Sequence, residues 1–414
     1  MKKNEIIAPK VEKREYFCIV KQLKSVFRII ISTIFLMAVS GFTPVYSQTS
    51  TTRTNDSIEI SLLTCSPHDA IYSLYGHTAI RYKDLTTGGD WVFNYGVFNF
   101  RKPFFVLRFV FGKTDYELGV VPFHIFQKEY ERFGCQVNEQ VLNITHEEKM
   151  KIINALEENY RPENKVYRYN FFYNNCTTQA RDIIAKSITG DIVYKKINNE
   201  KKSFRDEIHD YTENYPWASF GNDLCLGFKA DKTMTLVESQ FLPENLMRDF
   251  DNAQIVYDGK TKPLVKSNQI ILKSNTNEAS VTIFRPILCA YIFLIITFVI
   301  SFKEYRRRKT SIVFDVFTML ITGMAGIVVL ALLFSEHPTT STNLQILILN
   351  PISLLFIPTV IKKKKNSYWH IYEAAIVLFL IGSVFQDYAE GMTIVALSLL
   401  IRSWMHTRIM TKSA

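Results

Sequence analysis

The feature that most constrains this chain is a series of apolar runs in its C-terminal third. They fall at Pro286–Phe302, Ile312–Phe334, Leu344–Ile361, Ile371–Phe385 and Met392–Trp404. A helix crosses the hydrocarbon of a bilayer with roughly 20 apolar residues, and about 17 is the lower limit. The second run meets that length outright, the first and third lie near the limit, and the last two are short enough to need a thinned bilayer or a re-entrant path. Alternate loops carry the positive charge: Lys303 to Lys309, then Lys362 to Lys365, then Arg402, Arg408 and Lys412. The other two loops, "SEHPTTSTN" and "QDYAEG", contain no Lys or Arg. The positive-inside bias therefore puts the basic loops in the cytoplasm and the other two outside. Residues 284–414 are expected to form an α-helical membrane bundle of about five spans. The net charge of +10 is largely this topology signal. It is neither concentrated in the soluble part nor interleaved with stacking aromatics, which argues against a nucleic-acid partner. Asp315 and Glu373 lie near cytoplasmic span ends and are expected to snorkel.

A further apolar run lies near the N-terminus. Lys21, Lys24 and Arg28 precede Ile29–Val39, and Val45-Tyr46-Ser47 offers a cleavage site. That order is a secretory signal peptide, with an uncleaved anchor as the alternative because the region before it is long. Residues 1–48 are assigned to this segment, 49–257 to an exported, periplasmic domain, and 258–283 to a polar linker. The expected location is the inner membrane of a Gram-negative-type cell, multi-pass, with the large domain on the periplasmic side. Of the six cysteines, Cys65, Cys135, Cys176 and Cys225 lie in the exported part, where a disulfide is chemically allowed. There is no C-x-x-C and no Cys/His pair at zinc-like spacing, so neither a metal nor another cofactor is expected.

Within the exported part the pattern is α+β. "SIEISLLTC" alternates and then turns apolar, as a strand does, and "HTAIRYKD" and "DWVFNYGVF" read as two strands joined by a Thr86-Thr87-Gly88-Gly89 turn. "ITHEEKMKIINALEENY" carries a capping box from Thr145 to Glu148. The aromatic, extended stretch "KVYRYNFFY" runs into "YNNCTTQARDII", where Ala180, Ile183, Ile184 and Ile188 recur at helical spacing. Cys176 thus stands at a strand-to-helix junction, with Asn174 or Asn175 as the N-cap.

A thiol at a helix start is drawn toward thiolate by the helix dipole, and free amides there can hold an oxyanion. It still needs a base and a group that orients the base. His77, behind Gly76 at the mouth of a strand, is the candidate base, and Asn94 on the neighbouring strand is the candidate orienter. An isolated exported cysteine is more often a disulfide half or core filler. The helix-start position together with a distant Gly-His shifts the balance toward a nucleophile. His124 and His146 read as surface residues, and one disulfide among Cys65, Cys135 and Cys225 is expected with its pairing open. His337, in an outward loop with Asn343, is a candidate contact for a lipid head group or for the site.

The runs "SLLTCSPHDAIYSLYGHTAIRYKD", "FNYGVFNF" and "YRYNFFYNNCTTQARD" resemble the exported domain of the Lnb-type lipoprotein N-acyltransferases. "YPWASFGNDLCLGFKAD", "FLPENL" and "SEHPTTSTNLQILILNP" resemble later blocks of that family. The resemblance implies a permuted papain-like (NlpC/P60-like) domain in which Cys176 is nucleophile and His77 base, with Asn94 as a further carry-over. One departure is His68 in "CSPHDA", where the family pattern has glycine. The implied activity moves an acyl chain from a membrane phospholipid, through a Cys thioester, to the α-amine of a diacylglyceryl-cysteine lipoprotein. Two other readings remain open at this point: a membrane-anchored cysteine amidase or peptidase acting on peptidoglycan peptides, and a non-catalytic sensing or scaffold domain.

Overall fold

The computed structural model describes residues 57–68, 70–195, 201–275, 284–363 and 367–411. The signal or anchor segment 1–48 and the linker's end, 276–283, lie outside the described residues. Seven strands form one sheet: β1 (Ile58–Cys65), β2 (His77–Asp84), β3 (Asp90–Val97), β4 (Asp115–Pro122), β5 (Val137–Leu142), β6 (Val166–Arg168) and β10 (Val265–Leu272). Their order is β10-β5-β1-β2-β3-β4-β6, and every pairing is antiparallel. A second, three-stranded sheet joins β7 (Asp191–Val193), β8 (Gln254–Tyr257) and β9 (Lys260–Pro263). The helices of this part are α1 (Phe105–Val110), α2 (Phe123–Phe133), α3 (His146–Tyr160), α4 (Cys176–Ser187), α5 (Phe204–Thr212), α6 (Pro216–Cys225), α7 (Leu236–Ser239) and α8 (Pro243–Asp251).

Alternation along the strands accounts for the layering. Ile60, Leu62 and Ile80 pack with Leu156, Ile184 and Leu246 of α3, α4 and α8. Their alternates Leu63, Cys65 and Ala79 pack with Phe126 of α2. With helices on both faces, β1 is buried on both, which is why its sequence stops alternating. The expected hairpin between β2 and β3 forms, with Asp84 Oδ1 accepting from the Thr86 amide at 2.8 Å and Gly88 at φ 74°. The capping box at Thr145 and Glu148 forms as well.

The polar stretch 258–272, expected as a linker, instead supplies β9 and β10. Strand pairing needs only backbone groups, and β10 is an edge strand whose residues 266–270 are all exposed. Its polar composition therefore carried no strand signal.

The C-terminal part is helical: α9 (Pro286–Arg307), α10 (Ile312–Leu333), a 3₁₀ turn at Leu344–Leu347 leading into α11 (Ile352–Ile361), α12 (Tyr368–Gly382) and α13 (Met392–Thr411). Three helical stretches are long and apolar enough to cross a membrane, at Pro286–Arg307, Ile312–Leu333 and Leu344–Ile361. Asp315 does not snorkel. It is buried, accepting from Arg402 Nε at 2.5 Å and facing His406 Nε2 at 2.9 Å, while Arg402 also bridges Glu304. The partner stands 87 residues away, so no helical spacing announced it.

The N-terminal part is fastened to this bundle by backbone-directed bonds. Asn343 Nδ2 donates to Leu224 O at 2.9 Å, Gln345 Nε2 to Asp223 O at 2.8 Å, and Gln386 Nε2 to Leu226 O at 3.2 Å. The Gly227 amide donates to Thr339 O at 2.9 Å, and a Cβ at that glycine would lie 2.3 Å from Ser341 O.

Arg402→Met leaves two carboxylates buried without their cation, a loss of about 3–5 kcal/mol. We expect a marked drop in thermal midpoint of the detergent-purified protein. Lys83→Ala breaks only the half-exposed Lys83–Glu59 pair and is expected to stay within about 0.5 kcal/mol of the parent. Equal midpoints for the two variants would contradict the assignment.

Candidate functional site

Helix α4 begins at Cys176 because Asn175 caps it. Asn175 Oδ1 accepts from the amides of Thr177 and Thr178, both at 2.9 Å, and the Thr178 hydroxyl accepts from the Asn175 amide at 2.8 Å. Asn175 Nδ2 donates to Phe171 O and Phe241 O, each at 2.8 Å. Of the two asparagines considered as the cap, Asn175 is the one that serves. This arrangement corrects one expectation. The Thr177 and Thr178 amides are occupied by the cap, so they are not available for an oxyanion.

The same junction brings the sequence-predicted residues together. His77 opens β2 opposite Cys65, the last residue of β1. Its Nε2 is hydrogen-bonded to Asn94 Oδ1 on β3, which leaves Nδ1 as the nitrogen for Cys176. The His77 imidazole and the Thr78 amide are the groups that draw the Cys176 thiol toward its charged form. Thr177 Oγ1 lies 3.8 Å from Cys176 Sγ and 3.1 Å from Thr78 Oγ1.

This setting favours the charged pair. Burial raises the Cys176 thiol, but the His77 charge and hydrogen bond, the Thr78 amide and the Thr177 hydroxyl outweigh it. The thiol falls from 9.0 to about 7. Burial lowers His77, yet the thiolate, Asn94 and Glu129 together carry it above 6.5. Opposite charge and hydrogen bonding to the charged forms win over desolvation here. The other thiols go the opposite way. Burial, with Cys135 nearby, pushes Cys65 well up, and burial takes Cys225 to about 11.

Several neighbours escaped sequence reasoning. Gly96, at φ 94°, sits where a Cβ would lie 3.6 Å from Cys176 Cβ and 3.9 Å from His77 Cε1. It falls in the register shift between Asn94 and Val97, a bulge that opens the strand beside the thiol. The glycine after Asn94-Tyr95 was the available signal. Tyr130 of α2 stacks on His77 with centroids 6.3 Å apart. Tyr116 and Tyr169 stack at 4.0 Å. Burial and the nearby Cys176 hold Tyr116 neutral, and burial and Tyr116 do the same for Tyr169.

His337 and Asn343 lie elsewhere. His337 Nε2 meets Phe109 O at 3.1 Å and its Nδ1 meets Asn170 Nδ2 at 3.3 Å. Burial lowers its pKa, in keeping with a neutral ring that donates from Nε2 and accepts at Nδ1. Asn343 caps the turn at Leu344–Leu347 and is 1 % exposed. Among the described residues neither bonds to Cys176, His77 or Asn94. The expected disulfide is absent, because Cys65 and Cys225 are free thiols and any pair among the three expected cysteines includes one of them. His68 stacks on Phe133 at 4.4 Å. Among the described residues no cluster of His, Cys, Asp and Glu is arranged to hold a metal ion.

Comparison with known proteins agrees with this architecture in both parts. Residues 46–211 match the Lnb N-terminal periplasmic domain, and residues 276–414 match the Lnb transmembrane domain. No curated protein and no solved structure matches the chain. With a periplasmic domain followed by membrane-spanning helices, both of them Lnb domains and in that order, the chain belongs to the Lnb family, the lipoprotein N-acyltransferase type of membrane protein.

Proposed function

We propose that the protein is a lipoprotein N-acyltransferase whose nucleophile is Cys176, with His77 as base and Asn94 as orienter. The observation that carries this reading is a helix-start thiol and an imidazole set against the same glycine, Gly96, with Asn94 holding the imidazole by Nε2. The imidazole draws the thiol down to about 7. Cysteine, histidine and asparagine in those relations form the papain-type arrangement, here in permuted chain order. The membrane part is read as a five-span bundle, with α12 and α13 completing the three longer stretches. A domain fastened to such a bundle suits a lipidic acyl donor better than a soluble peptide.

The chemistry follows in two halves. The Cys176 thiolate attacks an ester carbonyl of a membrane phospholipid. The tetrahedral intermediate collapses to a thioester, and the leaving alkoxide takes a proton from the His77 imidazolium to depart as a lysophospholipid. The α-amine of a diacylglyceryl-cysteine then attacks the thioester, His77 accepts the amine proton, and the thiolate is released. The two half-reactions make the kinetics ping-pong. The Asn175 side chain takes the Thr177 and Thr178 amides and not that of Cys176, so the Cys176 amide is the proposed helix-start donor to the developing oxyanion.

Cys176→Ala and His77→Ala are each expected to lower acyl transfer by at least ~10³-fold, with Asn94→Ala less damaging. The readout is mass spectrometry of lipoprotein N-termini from cells carrying each variant as the sole copy. Full N-acylation with Cys176→Ala would reject the assignment. The pH dependence gives an independent check. Iodoacetamide should alkylate Cys176 with an inflection near pH 7, rising as the thiolate forms. His77→Ala removes the lowering partner, so the inflection should move to 9.0 or above. An inflection that stays near 7 in the variant would show that His77 does not set the thiol.

A further inference from the structure

Residues 98–113 are unlike the rest of the periplasmic domain. Phe104, Val106, Leu107 and Phe109 are 77, 73, 54 and 40 % exposed, and helix α1 buries no residue at all. Phe104 holds φ at 56°, a left-handed backbone that bulky side chains rarely adopt. Core packing therefore does not explain this segment.

Its position does. The Glu336 amide donates to Phe111 O at 3.0 Å, His337 Nε2 to Phe109 O at 3.1 Å, and a Cβ at Gly112 would lie 3.0 Å from the His337 amide nitrogen. Helix α10 ends at Leu333. Three residues reach at most about 10 Å, so α1 is held at the height where that span leaves the bilayer. Lys102, Arg108 and Lys113, each bridged to a carboxylate (Glu117, Asp115 and Glu336), border the apolar face with long basic side chains. An apolar face edged by such side chains is the composition of an interfacial segment.

The segment also leads inward. Two residues after Gly96, Phe98 stacks on Tyr116 at 4.9 Å, and its ring meets Phe100 at 4.6 Å and Phe105 at 5.9 Å. Aromatic surface thus runs from beside Cys176 to the exposed helix.

We propose that Phe98–Gly112 is seated in the periplasmic leaflet of the inner membrane, with Phe104, Val106, Leu107 and Phe109 among the acyl chains, and that its aromatic wall leads a phospholipid ester to Cys176. The delivery role rests on the acyl-transfer reading above; the seating does not.

The test uses the full-length protein in nanodiscs of phosphatidylethanolamine and phosphatidylglycerol. A photo-crosslinking benzophenone residue replaces Val106, or Leu85 as control, which is 57 % exposed at the opposite end of β2 from His77. Phospholipid adducts at position 106 are expected to exceed those at 85 at least about tenfold, and equal yields would overturn the seating. The double variant Val106→Glu/Leu107→Glu should lower transfer from bilayer phospholipid about tenfold, with the alkylation rate of Cys176 unchanged. Parental transfer by that variant would overturn the delivery role, as would parallel loss of transfer and alkylation. If the parent itself transfers nothing, the acyl-transfer reading and the delivery role fail together, and the adduct comparison still decides the seating.

Discussion

The site hangs on one buried side chain. Asn175 uses its oxygen to cap α4 and its nitrogen to hold two carbonyls, those of Phe171 and Phe241, on different parts of the chain. At 5 % exposure none of these bonds competes freely with water, so losing the side chain would strand several polar groups at once. The cap fixes where the helix begins, and the first helical residue is Cys176. The thiol therefore meets β2 and β3 at a set height, where His77 and Asn94 are already paired across two neighbouring strands.

That arrangement explains which parts of the site were legible in the sequence. A helix start written as Asn-Asn-Cys-Thr-Thr is a local signal, and so is a hairpin whose turn fixes the register between His77 and Asn94. Local signals survive without knowledge of the fold. What depended on tertiary packing was not legible. The Thr177 and Thr178 amides look free in sequence, and only the geometry of the cap shows them to be taken. Gly96 is one glycine among 16 until the β3 bulge sets it against the thiol. Strand β10 has no apolar alternation because an exposed edge strand does not need it.

The membrane part repeats the lesson at longer range. Apolar runs and basic loops outlined the bundle, since hydrocarbon demands internally satisfied helices. Asp315 read as a span-end residue because its cation lies on another helix, at Arg402. His337 and Asn343 drew attention as polar residues in an outward loop. In the fold they hold the periplasmic domain and the bundle together, His337 against Phe109 and Asn170 and Asn343 against Leu224. Fastening and chemistry use the same residue types, and sequence does not separate them.

The proposed thiol, base, membrane seat and lipid donor would meet in a single covalent species, an acyl thioester on Cys176. Intact-protein and peptide mass spectrometry of the full-length protein, incubated in bilayers without lipoprotein acceptor, reads it directly. The account predicts one acyl chain on Cys176, discharged when a diacylated lipoprotein is added and never formed in His77→Ala. Acceptor acylation proceeding at full rate with no acyl group ever found on Cys176 would contradict it.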